Sequence, residues 1–441
     1  MAVASTRKPP SPASPARRAA LEAFTRVSEP AAPGLAHLCS AAAARLRLSP
    51  QDAALAREIA LGAARHRPWL EHLLARFVER PLPARCHDAR DALLLGLFQA
   101  AFLDRVPDHA LVNETVTLVV SQNFGGALRG LANAVMRRAV ADRAALRPGD
   151  GDPWQAALSA PQWAIDALAP LLPAGEMPAF FAASLPQAPL VLRRRGVTAE
   201  RAGEALRLAA GDADIAIEPS PLAPDCLRVH ARGLDPASVP LFQEGKLTAQ
   251  DDGAVAALMA LLGDDEPARV LDFCASPGGK TALLADLLPD ASITAADVSP
   301  EKLRRLRETL TRLGLDEDTR VVLSAATAGL EPFDFVLVDA PCSGLGTLRR
   351  HPEIRMRRDA TAIIRLAALQ RDILRHAARL VAPGGVLAYC VCTLTREEGE
   401  GTIDAFLAEH PAFSADSALA RLWPHRDGCD GYTFIRLRRA A

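Results

Sequence analysis

The sequence predicts an α/β domain built on a mostly parallel sheet, placed after an all-α domain and a small α+β connector. Three observations carry this reading. From residue 265 onward, short apolar runs alternate with helical segments; from about 17 to 145, apolar residues recur at three- and four-residue spacing without strand-like alternation; and the Gly and Pro of RPGDGDP at 147–153 separate the two regimes. A chain of 441 residues also exceeds one ordinary core. The expected organisation is a disordered basic tail over 1–16, a helical domain over 17–146, the connector over 154–250 and the α/β domain over 251–441.

The opening MAVASTRKPPSPASPARRAA is rich in Pro, Ser and Ala and lacks the continuous apolar stretch of a secretory signal. Helices follow in ALAREIALGAARHRPWLEHLLARFV and DALLLGLFQAAFL. The second holds the longest apolar run, which Gln99 interrupts and which is too short for a bilayer, so no membrane span is expected. Residues 1–150 hold 20 Lys+Arg against 13 Asp+Glu, although the whole chain carries a net charge of −1. That imbalance fits a polyanionic partner, and it equally fits a chain that uses arginine freely and has only four lysines. In the connector, Thr198 opens a helix in TAERAGEALRLAA, and CLRVHA alternates like a strand.

In the last region ARVLDF, ASITAADV, RVVLS, FDFVLVDA and GVLAYCV read as strands. Ser299 and Pro300 are expected as N-cap and first residue of a helix whose buried face carries Leu303, Leu306, Leu310 and Leu313. Alternating β and α units imply a parallel sheet covered on both faces, with ligands beyond the carboxyl ends of its strands. The eight cysteines form no CxxC pairs, which argues against a zinc ribbon or a disulfide framework and for reduced thiols in a cytoplasm, with no metal.

The first of these runs ends in Asp272-Phe273-Cys274-Ala275-Ser276-Pro277-Gly278-Gly279-Lys280-Thr281. Adjacent glycines at a strand-to-helix turn admit close approach of a ligand to backbone N–H groups. A Walker A loop would need glycine at position 274, and a dinucleotide fingerprint would need three spaced glycines; both are lacking. Asp297, ending the second run, suits a ribose diol, so a nucleoside-bearing cofactor fits, against the plain alternative of a tight turn. Run four ends in Asp339-Ala340-Pro341-Cys342-Ser343-Gly344 and run five in Tyr389-Cys390-Val391-Cys392-Thr393. Neighbouring strand ends would bring Asp339, Cys342 and Cys392 to one crevice, whereas the usual fate of a free cysteine, expected for Cys390, is the core.

VLDFCASPGGKT, DAPCSGLGTLRRHPEIRMRR and YCVCTLTREEGE resemble the signature segments of bacterial ribosomal RNA cytosine-5 methyltransferases of the Sun (RsmB) group, in the NOL1/NOP2/Sun family. The likeness extends to FQEGKLTAQDDGA at 242–254 and to the terminal DGYTFIRL, while LFQAAFLDRVPDHALVNETV and GLANAVMRRAV resemble the NusB-like RNA-binding domain of that group. The resemblance implies a Rossmann-like domain with a mostly parallel seven-stranded sheet, S-adenosyl-L-methionine as cofactor, and an unpaired cytosine of small-subunit (16S) ribosomal RNA as target. It implies Cys392 as the nucleophile toward carbon 6, Asp339 at cytosine N3, Cys342 in product release and Lys280 as an active-site residue. The cofactor would lie on Cys274, Ala275, Ser276, Pro277, Gly278, Gly279, Lys280, Asp297, Ser324 and Asp339. Arg349, Arg350, Arg355, Arg357 and Arg358 could track RNA phosphates or form a solvated face. A monomer is expected.

Three positions depart from the family pattern. Leu323-Ser324-Ala325 replaces Gly-Asp-Ala, whose acid contacts the adenine amino group; Val391-Cys392-Thr393 replaces Thr-Cys-Ser; and Gly399 stands where an Asn normally follows Glu397 and Glu398. The competing readings are an exchange of the two cysteine roles, as in DNA cytosine-5 methyltransferases, another RNA target such as a transfer RNA, and a non-catalytic RNA-binding assembly factor.

Overall fold

A computed structural model describes residues 13–29, 32–121, 127–211, 214–231 and 233–441. The expected tail falls largely outside the described residues, and the first helix is under way at Pro15. Cα packing divides the chain into two units: one reaches Ile165 and also takes in Leu348–Arg357, and the other comprises Asp166–Thr347 and Arg358–Ala441.

The main helices of the first unit are α1 (Pro15–Arg26), α2 (Leu35–Arg45), α3 (Pro50–Arg65), α4 (Arg67–Phe77), α5 (His87–Phe102), α6 (Asp108–Ser121) and α7 (Ala127–Ala141). Ser49 starts α3 as an N-cap accepting from the Asp52 N–H, with Pro50 as first residue. α5 is apolar all round because it runs through the middle of the unit. It approaches α3 so closely that a Cβ on Gly62 would stand 2.0 Å from the Phe98 ring, which requires glycine there. Gln99, 1% exposed within this apolar helix, is tolerated because its amide donates to the Leu95 carbonyl at 2.9 Å and accepts from Arg17 Nε at 2.8 Å. No described helix is long and apolar enough to cross a membrane.

The second unit holds two sheets. Strands β1 (Leu190–Arg194), β2 (Ile215–Pro219), β3 (Cys226–Ala231) and β4 (Leu247–Ala249) form an antiparallel sheet of order β2-β3-β1-β4. The helix Ala199–Ala210 accompanies it, capped as expected by Thr198. Arg193 and, two positions on, Arg195 converge on Asp286 at 2.5 and 2.7 Å, tying this connector to the helix Gly279–Leu287.

The larger sheet comprises β5 (Arg269–Asp272), β6 (Ser292–Asp297), β7 (Thr319–Leu323), β8 (Phe333–Asp339), β9 (Val381–Val391), β10 (Phe413–Ala415), β11 (Ala420–Leu422) and β12 (Tyr432–Arg439). Its path of seven strands runs β10-β12-β9-β8-β5-β6-β7, and β11 adds an eighth beside β12. β5 to β9 are mutually parallel, while β12 runs antiparallel to them and pairs antiparallel with β10 as well. The five apolar runs of the sequence are these five parallel strands. Ser299 caps the helix Pro300–Leu313, and Leu303, Leu306, Leu310 and Leu313 are buried. From β5 the chain winds outward to β6 and β7, then returns to β8 on the other side, so the strand order reverses between β5 and β8. A crevice for ligands forms at the carboxyl ends of such strands.

Candidate active site

The turn after β5 is built around Gly278, whose φ of 111° lies in the left-handed region. The turn is held from both sides. Ala275 N donates to Ala296 O at 2.9 Å, and Ser276 N donates to Asp297 Oδ2 at 3.0 Å. Asp297 is nearly buried; its Oδ1 accepts from Val298 N at 2.6 Å and faces Lys302 Nζ at 3.1 Å. The acid expected at a ribose diol therefore also fixes the turn that would receive the cofactor. Asp272, at the end of β5, accepts from Thr281 Oγ1 at 2.7 Å through Oδ2, and burial pushes its carboxyl up to about 7. Its Oδ1 is buried and has no hydrogen-bond partner among the described residues.

Lys280, one residue into the following helix, reaches across to β8. Its Nζ lies 2.7 Å from Asp339 Oδ2 and 5.7 Å from the centre of the Tyr432 ring. Burial alone would lower the Lys280 ammonium, but the Asp339 carboxylate outweighs it and holds the group above its ordinary value. Cys342 and Cys392 are brought together from the loops after β8 and β9, their sulfurs 3.3 Å apart. The hydrogen bond to Cys392, then burial, then the charges of Glu398 and Asp339 push the Cys342 thiol well up. Cys342 is therefore a protonated thiol at neutral pH. Both residues keep part of their surface open, whereas Cys390 is fully buried in the core.

The segment 259–437 matches the family model described as 16S rRNA methyltransferase RsmB/F, and 14–141 matches the NusB family. The ribosomal RNA small subunit methyltransferase B of Erwinia tasmaniensis is 33% identical over 414 residues, covering 90% of this chain and 92% of that protein. This chain belongs to the RsmB family. The namesake from Pseudomonas syringae pv. tomato is 35% identical, over 89% of this chain and 90% of that one. A crystal structure of the protein PH0851 shares the fold, with a TM-score of 0.75 at 24% identity over 98% of this chain and 99% of that one. The protein is accordingly an S-adenosylmethionine-dependent RNA methyltransferase.

Placed on the RsmB frame, the remaining expected residues fall into two groups. Ser324 follows β7 directly; Leu323 before it pairs with Asp297, and Leu323 and Val298 are apolar side chains that are 39% and 73% exposed at these neighbouring strand ends. Cys274 is partly buried, and burial followed by the Asp272 charge pushes its thiol up, so it serves as a neutral wall of the turn. The arginines after Cys342 divide differently. Arg355 is 5% exposed; its Nε donates to Ser159 O and its Nη1 to Leu348 O, both at 3.1 Å, and burial lowers it to about 9. That corrects the expectation for Arg355: a guanidinium enclosed by carbonyls cannot track phosphates. Arg357 donates to Ala32 O at 2.8 Å and Pro33 O at 3.2 Å, and Arg358 to Ser343 O at 3.3 Å. Arg349 and Arg350 are partly exposed.

Asp272 and Tyr432 stand at the site beyond the residues that the sequence singles out. The signal for Asp272 was present, since it is the acid that ends the first strand just before the glycine turn. Tyr432 came to light only through pairing of β12 with β9, which sets it near Lys280.

Proposed function

We propose that this RsmB-family protein methylates carbon 5 of a cytosine in small-subunit ribosomal RNA through a covalent adduct to Cys392, in the cytoplasm. The sulfur pair of Cys342 and Cys392 at 3.3 Å, with the Lys280–Asp339 pair alongside, carries this reading. Carbon 5 of cytosine is a weak nucleophile. Addition of the Cys392 thiolate to carbon 6 breaks the 5,6 double bond and moves its electrons toward N3, leaving carbon 5 enamine-like. Asp339 Oδ2 is engaged by Lys280, so Oδ1 is the atom left for the pyrimidine edge, and a proton relayed from the Lys280 ammonium through the Asp339 carboxyl to N3 balances the arriving electrons.

Residues of the turn fit S-adenosylmethionine. The partnerless Asp272 Oδ1 asks for a donor such as the cofactor's ammonium, Gly278 and Gly279 open the backbone, and Asp297 together with Ser324 and the walls Val298 and Leu323 would receive the nucleoside. When bound, the cofactor supplies an electrophilic methyl group on a cationic sulfonium, and that positive charge also favours a thiolate nearby. After carbon 5 has taken the methyl group, its proton must leave and the Cys392–carbon 6 bond must break to restore the double bond. Cys342, placed one sulfur contact away, is positioned for that release: as a thiol it gives its proton to the departing Cys392 sulfur, and the thiolate so formed takes the proton from carbon 5. An unpaired target is expected, because a stacked and paired cytosine costs more to extract.

The test is denaturing electrophoresis of Cys342→Ala and Cys392→Ala protein incubated with small-subunit RNA and cofactor. Cys342→Ala is expected to trap RNA covalently and Cys392→Ala to trap none. The reverse pattern would exchange the two roles. Bisulfite sequencing of ribosomal RNA from cells with and without the gene identifies the cytosine; no position changing would remove carbon 5 of ribosomal cytosine as the target.

A further inference from the structure

Each site cysteine is followed by a hydroxyl residue, Ser343 after Cys342 and Thr393 after Cys392. Their hydroxyl oxygens stand 2.7 Å apart, although 50 positions separate them in the chain. Both loops then converge on one carboxylate. Glu398 is 0% exposed; its Oε1 accepts from Ser343 N at 2.8 Å and from Gln370 Nε2 at 3.0 Å. Its Oε2 accepts from Thr395 Oγ1 at 3.0 Å and from the Ser343 hydroxyl. The Tyr389 hydroxyl closes the network, its single proton facing the Glu398 carbonyl at 2.7 Å, with Gln370 Oε1 3.0 Å from the same oxygen.

A carboxylate offers only acceptors, and here its two oxygens meet four donors drawn from three stretches of chain. Burying such a group is expensive, and an apolar side chain of similar volume would usually serve stability as well or better. The arrangement needs another reason, and the geometry supplies one. Among the described residues, the backbone N–H that the Glu398 carboxylate takes from another loop belongs to the residue directly after Cys342, while Thr395 and, through Ser343, Thr393 anchor the loop of Cys392. None of these contacts involves a sulfur atom.

We propose that Glu398 is a positioning residue that fixes the spacing and orientation of the Cys342 and Cys392 thiols, without itself touching RNA or cofactor. The inference rests on the reading that the two cysteines act in turn on one base. Addition and release must then be served by sulfurs held a few tenths of an ångström from their places. A displacement near 1 Å costs about 100-fold in rate.

The test uses full-length Glu398→Gln and, because that change leaves an amide donor facing donors, the milder Ser343→Ala as a second variant. Two readouts are taken. The first is binding of phenylarsine oxide, an arsenical that loses water as it bridges two neighbouring thiols; wild-type protein should bind it through Cys342 and Cys392, with Cys342→Ala and Cys392→Ala as negative controls. Glu398→Gln is expected to weaken that binding about tenfold. The second is steady-state methylation, where kcat should fall about 100-fold while KM for RNA and the affinity for S-adenosylhomocysteine stay within about twofold. Wild-type arsenical affinity with wild-type kcat in a folded Glu398→Gln protein overturns the proposal, as does a loss of melting temperature alone. If Glu398→Gln does not fold, Ser343→Ala decides on the same two readouts. Should Cys342→Ala trap no RNA, the carbon 5 chemistry fails, yet the arsenical comparison still reports whether Glu398 governs the sulfurs.

Discussion

Lys280 and Asp339, 2.7 Å apart with 11% and 31% of their side chains exposed, act as one unit. In so shielded a place neither charge is cheaply left alone. Lys280→Met is therefore expected to slow single-turnover methyl transfer by about 100- to 1,000-fold, Asp339→Asn by a similar factor, and the double variant by little more than either. Losses that multiply in the double variant would show that the two residues serve separate steps. At Ser324 the expected change is a gain. An acid there would accept from an adenine amino group between Val298 and Leu323, so Ser324→Asp should tighten S-adenosylhomocysteine binding about tenfold by calorimetry; an unchanged affinity would place the base edge elsewhere. At this scale the sequence exposes residues whose type the chemistry demands at strand ends, such as Asp339, Cys342 and Cys392. It hides Glu398, which sits in the charged stretch TREEGE and reads there as a solvated glutamate. Its burial is created by partners 55 and 28 positions away.

Among the elements, the turn between β5 and its helix has the least freedom. At Gly278 the backbone φ of 111° disfavours any L side chain, and a Cβ would meet Leu306 Cδ1 at 3.0 Å and Thr309 at 3.4 Å. Gly278→Ala should cost about 1–3 kcal/mol of local strain. Because that strain falls on the loop that would hold the cofactor, calorimetric affinity for S-adenosylhomocysteine should drop by at least about tenfold, while the thermal midpoint falls by only a few degrees. Equal affinity with a lowered midpoint would detach this turn from the cofactor. Elements announced by local chemistry were legible: Ser299 with Pro300 opens a helix, Thr198 opens another, and CLRVHA is β3. The short strands β10 and β11 were not, since three residues such as Ala420–Leu422 carry no period of their own and become a strand only by pairing with β12.

For the whole molecule, composition and rhythm separate a helical part from a sheet part, but they do not reveal that Leu348–Arg357 folds with the helices. That segment is polar and arginine-rich, and its allegiance is set by tertiary bonds such as Glu353 Oε1 accepting from Leu35 N at 3.2 Å. The helical unit also carries a pH dependence of its own. His66 lies where α3 passes to α4, its ring stacked on Phe102 at 4.3 Å, and burial, helped by the charges of Arg65 and Arg355, lowers it to about 3. A histidine free in the unfolded chain titrates near pH 6.5. Its folded value is depressed, so the unfolded chain takes up the proton first, and stability is lost progressively as pH falls from about 6.5 toward 3. Asp91 works in the opposite sense: burial raises it to about 6, and its contribution declines as pH rises from about 4 to 6. Total stability therefore mixes two opposed slopes over that interval, and a single melting profile cannot separate them. A comparison with His66→Phe does, because the substitution keeps a ring against Phe102 and removes only the imidazole. Relative to wild type, the variant should gain about 2 kcal/mol of unfolding free energy between pH 7 and pH 5, read from denaturant melts at both values. A difference that stays constant across that range would mean the imidazole keeps its proton inside the folded unit, and the desolvation assigned to it would be wrong.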